Sequence, residues 1–340
     1  MEDQLCKAAR RLLIAAGLFV VLLGGCETPD GERSGRVADS DRVFLTVDFE
    51  SGRTLRYRFV SDRRILLDWD PNATTSPSRV QEQTERLEMV VAYTPVEVDP
   101  YGVSTIEATV ESVDVARSES PSGRSLGPDA VESAEGRTFQ LQVDPRGRIV
   151  ETAGLDAFVR ELGEKAFRAD TSRGRIKEPD LVGDFIASQR FLWDPIASIE
   201  EPAEGVAVGE TWDSHMFIPL PMVLRLAREV IYRLEEVRLG EDGPVAVIRS
   251  QYSPADAVPA GWPVPYAGRF QMSGTFGFLG PYEVLGLEGG GETLFDLEQG
   301  RIEEKEQKYR VRIRAGIPPM GIKADPHITI HQTLTMKRLP

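Results

Sequence analysis

The chain has 340 residues, a formal net charge of −14 and 41% apolar residues. That length allows one large or two medium domains with a sizeable core. The acidity weighs against nucleic acid and against anionic lipid headgroups, both of which recruit Lys and Arg patches.

The first element is an apolar run over residues 12–23, preceded by Lys7, Arg10 and Arg11. A membrane-spanning helix needs about 20 residues to cross a hydrocarbon core of roughly 30 Å. The run is too short for that and has the length of a signal-peptide core. It ends in Leu23-Gly24-Gly25-Cys26, where two glycines give a slim, extended backbone that a peptidase cleft accepts. Leu-Gly-Gly-Cys after such a run resembles the lipobox of bacterial lipoproteins, a resemblance confined to residues 1–26. It implies cleavage between Gly25 and Cys26, a diacylglycerol on the Cys26 thiol, and a membrane partner held through the N-terminal lipid. Two or more acyl chains anchor stably where one does not. Because Cys6 would be removed and Cys26 lipidated, the resemblance also implies that no thiol remains for a disulfide, a nucleophile or zinc. Glu27 does not match the aspartate that in some bacteria retains lipoproteins at the inner membrane. The implied address is therefore the cell envelope, with the outer membrane favoured. Residues 1–25 read as signal peptide and 26–42, polar with Gly, Ser, Asp and Pro, as a flexible tether.

From residue 43 the chain reads mainly as strands. "RVFLTVDF" and "TLRYRFVSDRRILLDW" carry β-branched and aromatic residues, with Leu55, Tyr57 and Phe59 on one face. "RLEMVVAYTPVEV" and "VSTIEATVESVDV" flank the turn Asp99-Pro100-Tyr101-Gly102 and predict a long hairpin. Residues 117–137, rich in Ser, Gly, Pro and Glu, predict a loop. "TFQLQVDPRGRIVETAG" predicts a second hairpin turning at Asp144-Pro145-Arg146-Gly147. The period then changes. Leu155, Phe158, Val159, Leu162 and Ala166 form a helical stripe, with Glu161/Lys165 and Glu164/Arg168 spaced for pairing on the other face. A second helix is predicted over 179–193, opened by Pro179 and ended by Pro195. Strands return with "GVAVGETWDSHMF" and a hairpin turning at 240–243. Val223, Leu226, Ala227, Val230, Leu234 and Val237 also fit a helical stripe, but clustered Val, Ile and Tyr favour strand from about Glu229. "GRFQMSGTFGFLG", "GETLFDLEQGRIEEKEQKYRVRIRAG" and "HITIHQTLTM" predict further strands. "VDPRGRI" and "FDLEQGRI" form a weak internal repeat.

The expected fold is α+β and mainly antiparallel. It has two similar curved-sheet, half-barrel-like modules, 43–153 and 201–340, with a helical segment at 154–200 between them. Such sheets, with helices in their concavity, resemble the half-barrels of lipoprotein carriers and related lipid-binding lipoproteins. That likeness of fold assigns no residue.

Few residues offer chemistry. His327 and His331 have i,i+4 spacing, but β-branched neighbours make the segment a strand. Four residues there span about 13 Å at roughly 3.3 Å each, too far for two ligands each about 2.1 Å from one zinc. Asp68, Asp70 and Asn72 begin like a calcium loop, but Ala73 and Arg79 stand where it needs Gly and Glu. An Asx turn is expected instead. "GLEGGGE" at 286–292 lacks phosphate-loop spacing and predicts a wide turn. Trp262 and Tyr266, held among prolines and glycines, form a candidate ligand or partner surface. No catalytic constellation, metal site or cofactor is expected. The leading function is a non-catalytic, lipid-anchored envelope protein that binds an apolar ligand or a protein partner, or is structural. The rivals are an envelope hydrolase using paired carboxylates and a scaffold whose acidic face meets a basic component.

Overall fold

Alternating apolar positions become the buried rows of long antiparallel strands. The computed structural model describes residues 42–72, 79–118, 128–168, 174–176, 180–222, 224–240, 243–258, 270–272, 275–317 and 325–340. The strands are β1 (Leu55–Asp68), β2 (Val80–Val98), β3 (Ser104–Arg117), β4 (Thr138–Val143) and β5 (Ile149–Glu151). Helix α1 (Ala153–Ala166), the short strands β6 (Phe167–Arg168) and β7 (Gly174–Ile176), and helices α2 (Val182–Arg190) and α3 (Asp194–Ala197) follow. The second half holds β8 (Thr211–Ile218), β9 (Leu226–Leu239), β10 (Pro244–Pro254), β11 (Phe270–Met272) and α4 (Thr275–Phe278). It closes with β12 (Tyr282–Asp296), β13 (Arg301–Ala315) and β14 (His327–Leu339).

Eleven strands form one antiparallel sheet in the order β5-β4-β3-β2-β1-β14-β13-β12-β10-β9-β8. Strands from 43–153 and from 201–340 therefore share a single sheet, joined where β1 pairs with β14 from Arg56↔Leu339 to Asp68↔His327. The repeated turns occupy different places in it: one joins β4 to the edge strand β5, the other joins the interior pair β12 and β13. The sheet is curved around the helices. Phe139 on β4 packs on Phe185 of α2, with ring centroids 6.0 Å apart, and Tyr232 on β9 bonds Asp194 of α3 at 2.7 Å. A flat sheet of eleven strands would be about 48 Å wide, whereas the nine residues of α2 extend only about 14 Å. Strands from both flanks can touch this small helical layer only if the sheet bends around it.

Several expectations change on contact with the fold. Residues 43–49 do not join the ladder. Val43 bridges Val206, and the segment then runs extended past two turns, with Val47 N donating to Pro145 O at 2.8 Å and Asp48 N to Gly300 O at 2.9 Å. Its alternate residues Leu45, Val47 and Phe49 are buried, and the Phe49 ring meets Trp193 edge-on at 5.7 Å. The second helix ends at Arg190, and Pro195 instead sits in the first turn of α3. A fixed φ and a missing N–H are harmless there. Glu161 ion-pairs with Arg137, not along its own helix. Within 117–137, Ala130–Ala134 is a 3₁₀ turn with a capping box from Asp129 and Glu132, and Val131 and Ala134 are buried. Strand was right over helix around Val230, and β9 begins at Leu226. Part of "GRFQMSGTFGFLG" is the helix α4. The glycines expected to form a wide turn lie inside β12.

Candidate ligand-binding site

The inward face of the sheet carries a band of buried charge beneath α2. Arg63 lies on that face of β1, 2% exposed. Its Nη1 donates to Glu85 Oε2 on β2 at 2.8 Å, its Nη2 to Asp184 Oδ2 on α2 at 2.5 Å, and its Nε to Gln332 Oε1 on β14 at 3.3 Å. Asp184 Oδ1 accepts from Ser61 Oγ at 2.7 Å and Gln332 Nε2 at 2.5 Å. Burial alone would lower the Arg63 pKa, but the Asp184 and Glu85 carboxylates outweigh it and raise it. Arg117 extends the band, donating from Nη2 to Asp129 Oδ2 at 2.5 Å with Nε 3.3 Å from Glu85 Oε1. Asp129 in turn accepts from Leu181 N at the start of α2. The band therefore clamps α2 to β1, β2 and β14.

Beside the clamp is a cavity of ≈ 50 Å³. Its apolar wall comes from Phe59 on β1, Leu87 and Met89 on β2, Phe191 and Leu192 after α2, and Leu334 and Met336 on β14. Ala187 of α2 also faces it. The polar wall adds Ser61, Asp184, Arg228, Lys305 and Gln307. Lys305, Gln307 and Tyr309 are successive inward residues of β13, all buried.

Arg228 is 2% exposed, and its guanidinium lies over the rings of Tyr252 and Tyr309, 4.3 and 4.6 Å from their centroids. Its Nη2 donates to Gln307 Oε1 at 2.7 Å and contacts Met216 Sδ at 3.3 Å. Nε and Nη1 reach no acceptor among the described residues. Lys305 Nζ donates to the Phe191 carbonyl at 2.6 Å. Burial lowers the Lys305 pKa to about 8, with Asp194 opposing and Arg228 reinforcing the shift. Asp194, at the start of α3, is held above the usual carboxylate range by burial. Its oxygens accept from Ser214 Oγ at 3.0 Å and Tyr232 OH at 2.7 Å. Neither Arg228 nor Lys305 forms an ion pair with a described carboxylate.

The glycines of β12 explain how this end is built. A Cβ at Gly289 would lie 2.2 Å from Lys308 O, and one at Gly291 would lie 2.3 Å from Glu306 O and 2.6 Å from Tyr252 OH. Only glycine lets β12 press this closely on β13 behind the tyrosine pair.

A second, open cleft of ≈ 830 Å³ follows the row Arg117, Glu85, Arg63, Gln332, Tyr309 and Gly289 and their strand neighbours. Its three carboxylates, Asp62, Glu85 and Glu288, are each bound by arginine: Arg86, Arg63 with Arg117, and Arg310.

The residues singled out from sequence lie elsewhere. Gly25, Cys26, Trp262 and Tyr266 fall outside the described residues. His327 and His331 are on β14 and share the face opposite the buried Ile328 and Ile330. Burial, Arg310 and Arg64 together lower the His331 pKa. His215 is on β8, 3.9 Å from Glu229. Among the described residues, no group of three or more His, Cys, Asp or Glu is placed to hold a metal ion. Asp70 N donates to Asp68 Oδ1 at 3.1 Å, the Asx turn expected on leaving β1. Sequence reading passed over Arg63, Arg228 and Lys305. The available signal was polarity on both faces of "EKEQKY" inside a strand.

No family model and no curated protein matches the chain. Among solved structures, a crystal structure of Acinetobacter baumannii OccAB4 aligns over 85% of this chain and 99% of its own, at 7% identity and a TM-score of 0.23. That likeness is too distant to carry an argument. Among the described residues, no helix is long and apolar enough to cross a membrane.

Proposed function

We propose that the protein is a lipid-anchored protein of the cell envelope that binds an apolar ligand between α2 and the concave face of its sheet. One observation carries the binding part: a gap lined by Phe, Leu and Met sits beneath a short helix. Binding sites for small molecules are concave, mostly apolar and edged by a few fixed polar groups. At ≈ 50 Å³ the gap admits a few atoms. A longer ligand must displace Met89 and Met336, whose unbranched side chains re-pack readily. Catalysis by paired carboxylates finds no support in the outer cleft, where each carboxylate is tied to an arginine. The anchor rests on the lipobox resemblance at Cys26.

Two measurements test the proposal. Intact mass and detergent partitioning of the native protein should show acyl mass on a chain beginning at Cys26, and Cys26→Ser should lose both the mass and the partitioning. An unacylated, freely soluble wild type would end the anchor reading. For the cavity, the uncharged probe N-phenyl-1-naphthylamine should brighten on the full-length Cys26→Ser protein in detergent-free buffer. Ala187→Phe, which fills the gap with a ring of the protein's own, should abolish the signal while the variant stays folded. Equal brightening of both proteins would place the probe elsewhere and end the cavity reading.

A further inference from the structure

Resting on that cavity reading, we propose that the ligand is an apolar chain ending in a carboxylate, and that Arg228 and Lys305 receive the carboxylate. Three observations converge. First, the cavity's apolar wall ends in two buried cations, and neither has a carboxylate partner among the described residues. Second, Arg228 is incompletely satisfied. Stacking on Tyr252 and Tyr309 stabilises the faces of the guanidinium but gives its edge N–H groups nothing, and Nε and Nη1 remain without an acceptor. Buried donors in that state are costly, more so when charged. Third, the acids nearby are already engaged. Asp184 gives one oxygen to Arg63 and the other to Ser61 and Gln332, and Asp194 accepts from Ser214 and Tyr232. Lys305 uses one of its three donors on the Phe191 carbonyl, which leaves two for an incoming anion. An apolar ligand without a charge would bury this end and leave the orphan N–H groups as they are. A carboxylate would satisfy them where water is excluded and hydrogen bonds to charged groups are strongest.

Both rigid neighbours suit such a role. The tyrosine pair fixes the plane of the guanidinium, and the glycines of β12 hold the tyrosines in place. Gln307 occupies Nη2 and so sets which donors remain free.

The test compares laurate with dodecanol, two chains of equal length that differ in the charged end. Each displaces N-phenyl-1-naphthylamine from the full-length Cys26→Ser protein at pH 7. Laurate should compete about tenfold or more better than dodecanol, the factor expected from hydrogen bonds to a charged group. Arg228→Met should bring the laurate-to-dodecanol preference close to one. If that variant misfolds, the wild-type comparison still decides, and Lys305→Met should narrow the preference on its own. Probe binding with equal or better displacement by dodecanol would overturn the carboxylate assignment and leave the apolar site standing. No probe binding, together with no heat of laurate binding by calorimetry, would remove the site itself and this inference with it.

Discussion

At the scale of single residues, Arg63 and Lys305 predict opposite behaviours. Arg63 is buried with two acids and a glutamine fixed around it, so Arg63→Ala leaves Asp184 buried without its cation and Glu85 with Arg117 alone. The expected loss is about 3–5 kcal/mol, read as a fall in the urea midpoint. Arg56→Ala, which breaks an exposed pair with Glu111, should cost less than about 1 kcal/mol. Lys305 is buried beside the cation Arg228 and the carboxyl of Asp194, and its pKa falls to about 8 in the fold. The unfolded chain keeps the ordinary, higher value. Above pH 8 the native state therefore releases this proton first, the unfolded state binds more protons, and stability rises with pH. Lys305→Met removes that rise. The gap in urea midpoints between wild type and variant should shift in favour of wild type from pH 8 to pH 9.5, below the range where buried tyrosines titrate. An unchanged gap would mean that Lys305 is not buried as described.

At the scale of elements, β12 is the informative strand. Gly291→Ala places a methyl group against the Glu306 carbonyl and the Tyr252 hydroxyl. Neighbouring backbone must move, at a cost of about 1–3 kcal/mol, seen as a lower Tm. The same substitution at Gly52, where a Cβ meets nothing, isolates the strain of its positive φ from any clash. Three consecutive glycines looked like a turn because a turn needs glycine's conformational freedom. Here the requirement is close approach between strands, which sequence alone does not distinguish. Other elements were legible. The Asp99 and Asp144 turns bring their own signals, since each aspartate accepts from backbone N–H groups across its turn. The α1 stripe was equally clear, and Leu155, Phe158, Val159 and Leu162 are all buried. The site was not legible. Arg228 sits among Leu226, Ala227 and Val230, and Lys305 among Glu304 and Glu306, so both look like ordinary surface charge. Only the register between strands shows that they point inward beneath a helix.

At the scale of the whole molecule, the sheet has its centre at a seam between strands more than two hundred residues apart. β14 pairs with β1 on one side and β13 on the other, so a strand far along the chain from β1 lies near the middle of the sheet. The consequence concerns biosynthesis. While the chain is being made, β1 has β2 on one side and an open row of N–H and C=O groups on the other. An unpaired strand edge is a template for association with other chains, and contacts this distant in sequence form slowly. The seam between β1 and β14 can therefore close only once residues 327–339 have been made. Pulse-labelled chains should gain protease resistance only after residues 327–339 have been made, and a chain stopped at residue 326 should be insoluble. Late closure of this seam also keeps the chain threadable: the sheet cannot lock into its final form before β14 is available to pair with β1.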